Sequence, residues 1–179
     1  TGGEKMKKNK PAIVSILGWS GTGKTSFIEA AILECRRRGM PAAALKKSHN
    51  APSVPQDSKD SSRFLKAGAE PSIYLGGSEM LALSAAPARM DRSAIAALCP
   101  AASIVFCEGL DIEGAQRVLM AGDESEESAL KRSLAEIDVL IARNASMLEL
   151  ARGRGVILFT PDDIGQFIDH LIATEAYRD

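Results

Sequence analysis

Residues 15–27 read SILGWSGTGKTSF, an apolar stretch that turns through three glycines into a lysine and a hydroxyl residue. Gly18, four intervening residues, Gly23, Lys24 and Thr25 match the P-loop pattern in full. An apolar run precedes the turn and a helical pattern follows it, which is the context that the pattern requires. The stretch therefore predicts a strand, a phosphate-binding loop and a helix.

Each position of this loop has a physical task in holding a nucleoside triphosphate. The glycines let successive backbone N–H groups turn inward as an anion nest, backed by the helix N-terminus. Lys24 is expected to reach the β- and γ-phosphates, and the Thr25 hydroxyl to bind Mg²⁺. A tight turn without a ligand is the alternative, and it would bury a lysine without a counter-charge. The predicted nucleotide-binding residues are Gly18, Trp19, Ser20, Gly21, Thr22, Gly23, Lys24, Thr25 and Ser26.

The composition is ordinary for a soluble globular protein. Of the 179 residues, 45% are apolar and 25% charged, and the formal net charge of −1 gives no signal for nucleic-acid binding. No apolar stretch approaches the roughly 20 residues that span a bilayer. The three cysteines form no CxxC pair, which argues against a zinc site or a disulfide framework. We expect a cytoplasmic protein without nucleic-acid or membrane partners.

Apolar runs of strand length recur along the chain, with helical patterns between several of them. This alternation predicts a P-loop NTPase-like, three-layer α/β fold with a mainly parallel sheet flanked by helices. We expect residues 1–10 to form an N-terminal tail, of which residues 1–5 are foreign to the natural chain, and residues 11–179 to form a single nucleotide-binding domain. The runs lie at residues 11–18, 41–47, 71–77, 102–109, 116–122, 138–143 and 155–160.

Two helices are well marked by their residue patterns. In the first, apolar residues from Ile28 to Cys35 recur at positions i, i+3, i+4 and i+7. The last helix is expected to take Thr160 as its N-cap and Pro161 as its first residue. His170 lies off the apolar face of that helix, and we expect it to be solvated.

A second candidate group follows the apolar run at residues 102–109. Glu108 ends this run at the position of a Walker B acid, which orders the water shell of the metal in doubly wound sheets. Capping of a loop is the alternative role. Lys24 and Glu108 are therefore the predicted catalytic residues. No NKxD motif, which recognises the guanine base in classical GTPases, follows a strand. Asn144 could contact a base from its loop, but an ordinary turn is the favoured interpretation.

Four stretches in this order and spacing resemble the MobB family of molybdopterin-guanine dinucleotide biosynthesis accessory proteins: LGWSGTGKTSFIEA, ALKKSHN, SKDSSRFLKAGA and VFCEGL. The similarity covers residues 11 to about 110 well. It implies a P-loop protein that binds GTP, hydrolyses it weakly, forms a homodimer and assists the guanylyltransferase that attaches GMP to molybdopterin. Carried over by position, Gly18 to Thr25 bind phosphates and Mg²⁺, and Glu108 is the family's acid.

The resemblance also implies roles for residues of the central region. Lys59, Asp60 and Ser61 match the family's signature at the start of the second helix. Asp60 is a candidate second acid near the metal, and an acid that only interacts favourably with the helix dipole is an equal alternative. His49 and Lys59 are candidates for contact with molybdopterin or with the partner enzyme. Lys47 departs from the pattern, because the family tends to have a histidine there. Residues 50–58 are either a lid or interaction surface, or a plain connection.

The leading interpretation is an adaptor that binds GTP and Mg²⁺ and is at most a slow GTPase. Fast hydrolysis also needs a positioned water and an arginine-like charge, and the sequence identifies neither. The alternative is a small-molecule kinase that uses ATP, although the central loop is poor in the arginines of a kinase lid. A metal-delivery GTPase would show a cluster of cysteines and histidines, and a purely structural module would leave the P-loop unexplained.

Overall fold

The computed structural model describes residues 10–48, 50, 59–122 and 135–174. The chain divides into two compact units: Thr1–Lys47 with Asp91–Asp179, and Ser48–Met90. The expected tail over residues 1–10 and single domain over residues 11–179 stay predictions.

The strands of the first unit form one parallel sheet. In chain order the strands of the described residues are β1 (Ala12–Gly18), β2 (Ala42–Lys46), β3 (Ser72–Gly76), β4 (Glu79–Leu83), β5 (Ile104–Glu108), β6 (Gln116–Ala121), β7 (Val139–Ala142) and β8 (Ile157–Phe159). The sheet has the order β2-β5-β1-β6-β7-β8, and every neighbouring pair is parallel. Every apolar run predicted to be a strand contains one of these strands.

Helices lie on both faces of this sheet. The described helices are α1 (Lys24–Arg37), α2 (Lys59–Lys66), α3 (Arg92–Leu98), α4 (Ala145–Ala151) and α5 (Ile164–Ala173). Side chains of α1 and α5 pack in one core cluster with β1 and β5, and side chains of α4 pack in another with β6 and β7. This arrangement confirms the predicted three-layer fold. No helix of the described residues is both long and apolar enough to cross a membrane.

The core between the sheet and α1 fixes where α1 begins. Val14 and Ile16 of β1 are fully buried, as is Phe106 of β5. Phe27 of α1 meets Phe167 of α5 edge-to-face, with ring centroids 5.1 Å apart. Because large side chains are packed along its inner face, α1 is held with its N-terminus at the end of β1.

The second unit contains a strand that the sequence pattern did not reveal. β3 and β4 pair antiparallel as a hairpin, with Tyr74 opposite Leu81 and Leu75 opposite Met80. Leu75 and Met80 are exposed, while Tyr74 and Leu81 are half-buried. β3 agrees with the predicted run, whereas β4 was not predicted.

Two expectations for the last helix are wrong. α5 begins at Ile164, with Asp163 as its N-cap residue. The backbone N–H and the hydroxyl of Thr160 both donate to Asp163 Oδ2 at 2.7 Å, so this segment forms a polar turn before the helix. His170 is half-buried rather than solvated, because its Nε2 lies 2.6 Å from Gln116 Nε2 and its ring lies against Phe159.

Candidate functional site

The glycine-rich loop joins β1 to α1 and has positive φ angles at all three glycines of the predicted anion nest. Gly18, Gly21 and Gly23 have φ angles of 139°, 82° and 85°, a region that favours glycine. A Cβ atom on Gly18 would lie 2.4 Å from the carbonyl oxygen of Met120 on β6. The sheet therefore demands glycine at position 18, and the loop can turn its N–H groups toward an anion at the start of α1.

Lys24 opens α1 and folds back over this loop. Its ammonium donates to the carbonyl oxygen of Gly18 at 3.0 Å and to that of Trp19. The Thr22 hydroxyl donates to the same Trp19 oxygen at 3.0 Å. A positive charge thus lies directly at the nest, where a phosphate group would draw it away from neutral carbonyls.

Thr25 and Glu108 meet at the first turn of α1. The Thr25 hydroxyl lies 3.1 Å and 3.0 Å from the two carboxylate oxygens of Glu108. Glu108 is the last residue of β5, which pairs with β1 on one side and β2 on the other. The structure therefore brings two of the three residues predicted to serve Mg²⁺ into direct contact, although they come from distant parts of the chain.

Lys46 is a third member of this cluster, and no role is predicted for it from the sequence. It ends β2 in register with Glu108, and its Nζ lies 2.9 Å from Glu108 Oε1. The same Nζ lies 3.4 Å from the Thr25 hydroxyl. A lysine at the end of a strand is an ordinary surface pattern, so only the pairing of β2 with β5 reveals this contact.

The donor set of this cluster fits Mg²⁺. Thr25 and Glu108 offer a hydroxyl and a carboxylate, which are hard oxygen ligands, and Mg²⁺ keeps several waters and substrate phosphates in its remaining positions. Glu108 contacts one cation among the described residues, the Lys46 ammonium. In the described part of the chain, no group of three acidic, histidine or cysteine side chains could hold a metal.

The remaining loop residues differ in burial. Trp19 is half-buried and packs against the core cluster of β6, β7 and α4. Ser20 and Ser26 are exposed, and Thr22 is half-buried. The side chain of Trp19 therefore does not project into solvent, while its carbonyl oxygen faces the Lys24 ammonium.

Three predicted residues belong to the second unit or lie outside the described residues. Asp60 belongs to the second unit, where its exposed carboxylate pairs with Arg63 at 3.2 Å on α2. Lys59 is the first residue of the same helix. His49 lies outside the described residues, as do residues 51–58. A role of Asp60 at the metal stays a prediction, as do contacts of His49 and Lys59 with substrate or partner.

Asn144 has the role expected of an ordinary turn. Its side-chain oxygen accepts hydrogen bonds from the Ser146 backbone N–H at 2.9 Å and the Ser146 hydroxyl at 2.8 Å. It is the N-cap residue of α4, directly after β7. The cap satisfies a backbone N–H of the first helical turn, so the amide oxygen serves the fold.

Cys107, beside Glu108, is a core residue. It is fully buried, and burial raises the pKa of its thiol to about 12. A thiol that holds its proton so strongly is neither a nucleophile nor a metal ligand at neutral pH. The chemistry at the end of β5 therefore belongs to Glu108.

Comparison with known proteins gives a consistent family assignment. The family profile "Molybdopterin guanine dinucleotide synthesis protein B", MobB, matches residues 13–143. The chain is 29% identical over 149 residues to the molybdopterin-guanine dinucleotide biosynthesis adapter protein of Haemophilus influenzae, covering 80% of each chain. It is 24% identical over 164 residues to the protein of the same name from Escherichia coli, covering 82% of this chain and 90% of that one.

Solved structures show the same fold. MobB of Bacillus subtilis has a TM-score of 0.65 at 20% identity, covering 91% of this chain and 99% of that one. The hydrogenase maturation factor HypB of Archaeoglobus fulgidus has a TM-score of 0.53 at 16% identity, covering 90% of this chain and 89% of that one. Since the family profile spans most of the chain, the protein belongs to the MobB family of molybdopterin guanine dinucleotide biosynthesis.

Proposed function

We propose that this chain binds GTP with Mg²⁺ and acts as an adapter with slow GTPase activity in the guanylylation of molybdopterin. The observation that carries the proposal is the placement of Lys24 on the glycine loop and of Thr25 against Glu108 in a MobB-family chain. The nest and Lys24 hold the phosphates, Thr25 binds the metal, and Glu108 orders its water shell.

Slow hydrolysis follows from the groups around the cluster. Lys24 and the metal polarise the γ-phosphate, but a fast GTPase adds a cationic finger and a residue that positions water. Among the described residues, the hydrogen bonds and ion pairs of Lys24, Thr25 and Glu108 involve no arginine. We therefore assign the nucleotide a structural role, in which its occupancy sets the state of the adapter.

The proposed partner is the guanylyltransferase that attaches GMP to molybdopterin. Relatives from two bacteria carry the name of adapter protein in this biosynthesis, which supports a partner enzyme. We further propose that the protein works in the cytoplasm as a homodimer, and that His49 and Lys59 contact molybdopterin or the partner. A clean monomer in light scattering at high protein concentration would contradict the homodimer.

Reconstitution with the guanylyltransferase tests the adapter function. Wild-type protein added to the transferase, molybdopterin, GTP and Mg²⁺ is expected to raise the yield of guanine dinucleotide, whereas Lys24→Ala is not. Equal yields with wild type and variant would contradict the proposal. Transfer of the γ-phosphate of ATP to a small-molecule acceptor, without the transferase, would instead establish the kinase alternative.

A further inference from the structure

Lys46, Glu108 and Thr25 meet where β2, β5 and α1 come together. Lys46 and Glu108 are in-register neighbours on parallel strands, so their side chains leave the sheet on the same face. That face is covered by α1, which supplies Thr25. The Lys46 ammonium, 2.9 Å from the carboxylate and 3.4 Å from the hydroxyl, thus lies against both groups proposed to serve Mg²⁺.

The ammonium and a divalent cation compete for this position. A Mg²⁺ ion bound by Thr25, and by Glu108 either directly or through water, would place two positive charges within a few ångströms of Lys46 Nζ. Like charges repel strongly at such distances in a partly desolvated site. While Lys46 holds Glu108, a divalent cation is therefore disfavoured there.

Lys46 is the member of the pair that can move. Its side chain is 59% exposed, whereas that of Glu108 is 13% exposed. Lys46 lies on β2, one of the two edge strands of the described sheet, and Glu108 lies on a strand with neighbours on both sides. A lysine carries its charge on a flexible four-carbon stem, so it can turn toward an anion bound nearby.

We propose that Lys46 makes Mg²⁺ binding conditional on a bound triphosphate, an inference that rests on the proposed nucleotide binding. Without nucleotide, the ammonium neutralises Glu108 and keeps divalent cations away. When phosphates enter the nest beside Lys24, the Lys46 ammonium moves to their oxygens and releases Glu108 to the metal. Metal and triphosphate then favour each other's binding, and the coupling is reciprocal.

The first test measures a divalent cation on the nucleotide-free protein. Mn²⁺ binding is followed by electron paramagnetic resonance for wild type, Lys46→Met and Lys47→Met. Lys47 is the exposed next residue, so both variants lose one positive charge at adjacent positions. We expect Lys46→Met to bind Mn²⁺ at least about fivefold more tightly than the other two proteins. Lys46→Arg, which keeps the charge, should behave as wild type.

The second test measures GTP affinity in EDTA, where no metal assists. Lys46→Met is expected to bind metal-free GTP several-fold more weakly than wild type, and Lys47→Met equally well. Equal Mn²⁺ affinity in wild type and Lys46→Met, or the same gain in both methionine variants, would overturn the inference. Wild-type protein that binds no nucleotide would overturn the proposed function instead, and the Mn²⁺ comparison would still decide whether Lys46 excludes the metal.

Discussion

Thr25 donates a hydrogen bond to Glu108 across 3.0 Å, although the two residues lie 83 positions apart in the chain. Thr25 stands in the first turn of α1 and Glu108 ends β5. The contact exists because β5 lies beside β1, the strand that leads into the glycine loop. The metal site proposed here is therefore a product of strand order rather than of any local stretch of sequence.

Glu108→Gln tests the acid at this site. The amide keeps the shape and can still accept from Thr25, but it loses the charge that favours a divalent cation. We expect the Mg²⁺ affinity of the GTP complex to fall by about 10- to 100-fold, the range typical when a supporting group of a metal site is lost. The measurement is calorimetric titration of the protein with GTP, once in the presence of Mg²⁺ and once in EDTA, so that the contribution of the metal is the difference between the two affinities. An equal loss of affinity in EDTA would contradict this assignment, because it would mean damage to the phosphate nest.

Gly18→Ala tests the close approach of the loop to β6. The added Cβ would meet a backbone carbonyl that cannot turn away, at a φ that alanine rarely adopts. We expect a loss of roughly 3 kcal/mol in the free energy of unfolding, measured in urea. Gly21→Ala is the matched control, since a Cβ there meets nothing within 4 Å, and it should cost roughly 1 kcal/mol. Equal costs would argue against this packing.

Local sequence patterns predict the strands and the helix around the site, but they do not predict which strands lie side by side. Gly18 to Thr25 combine a backbone requirement, a charge and a hydroxyl in one short stretch, which chance rarely produces. The contact of Lys46 with Glu108 needs the strand order β2-β5-β1, and no local pattern encodes which strands pair. β4 has no local signal for the same reason, because three of its five residues are exposed and the strand is defined by pairing with β3.

Two N-cap candidates compete at the start of α5, and the structure uses the second. Thr160 and Asp163 are both good N-cap residues, and Pro161 favours the first turn of a helix. In the structure Thr160 donates twice to the Asp163 carboxylate, which lowers the pKa of Asp163. These hydrogen bonds close a turn before the helix, so α5 begins at Ile164.

Glu34 is expected to make a contribution to the free energy of unfolding that is lost at acid pH. Hydrogen bonds from Arg37 and then Arg38 hold the pKa of the Glu34 carboxyl at about 2, below its ordinary value of 4.5. A carboxyl whose folded-state pKa is lowered stabilises the fold above pH 4.5, and this contribution is lost as the pH falls toward 2. Glu34→Gln should therefore be less stable than wild type at pH 7, with a difference that narrows down to pH 3. Urea midpoints that fall in parallel for the two proteins would contradict it.

His170 is expected to lower the stability of the fold as the pH falls from 7 toward 5. Burial lowers the pKa of its imidazole from the ordinary 6.5, a shift that nearby Asp138 partly opposes. The unfolded chain then takes up this proton more readily than the folded chain, so stability falls as the pH drops below 6.5. His170→Gln removes that proton uptake and should flatten the profile of thermal midpoints between pH 7 and pH 5. A variant with the slope of wild type would show that His170 is not the cause.

Nucleotide binding reported by Trp19 is the most direct test of the proposed function. Trp19 is the only tryptophan, and its carbonyl oxygen accepts from the Lys24 ammonium that a phosphate would draw away. Its fluorescence should therefore change saturably when GTP and Mg²⁺ are added, at concentrations well below those needed for ATP, and Lys24→Ala should abolish the change. A preference for ATP, or no response of the wild-type protein to either nucleotide, would contradict a GTP-dependent adapter.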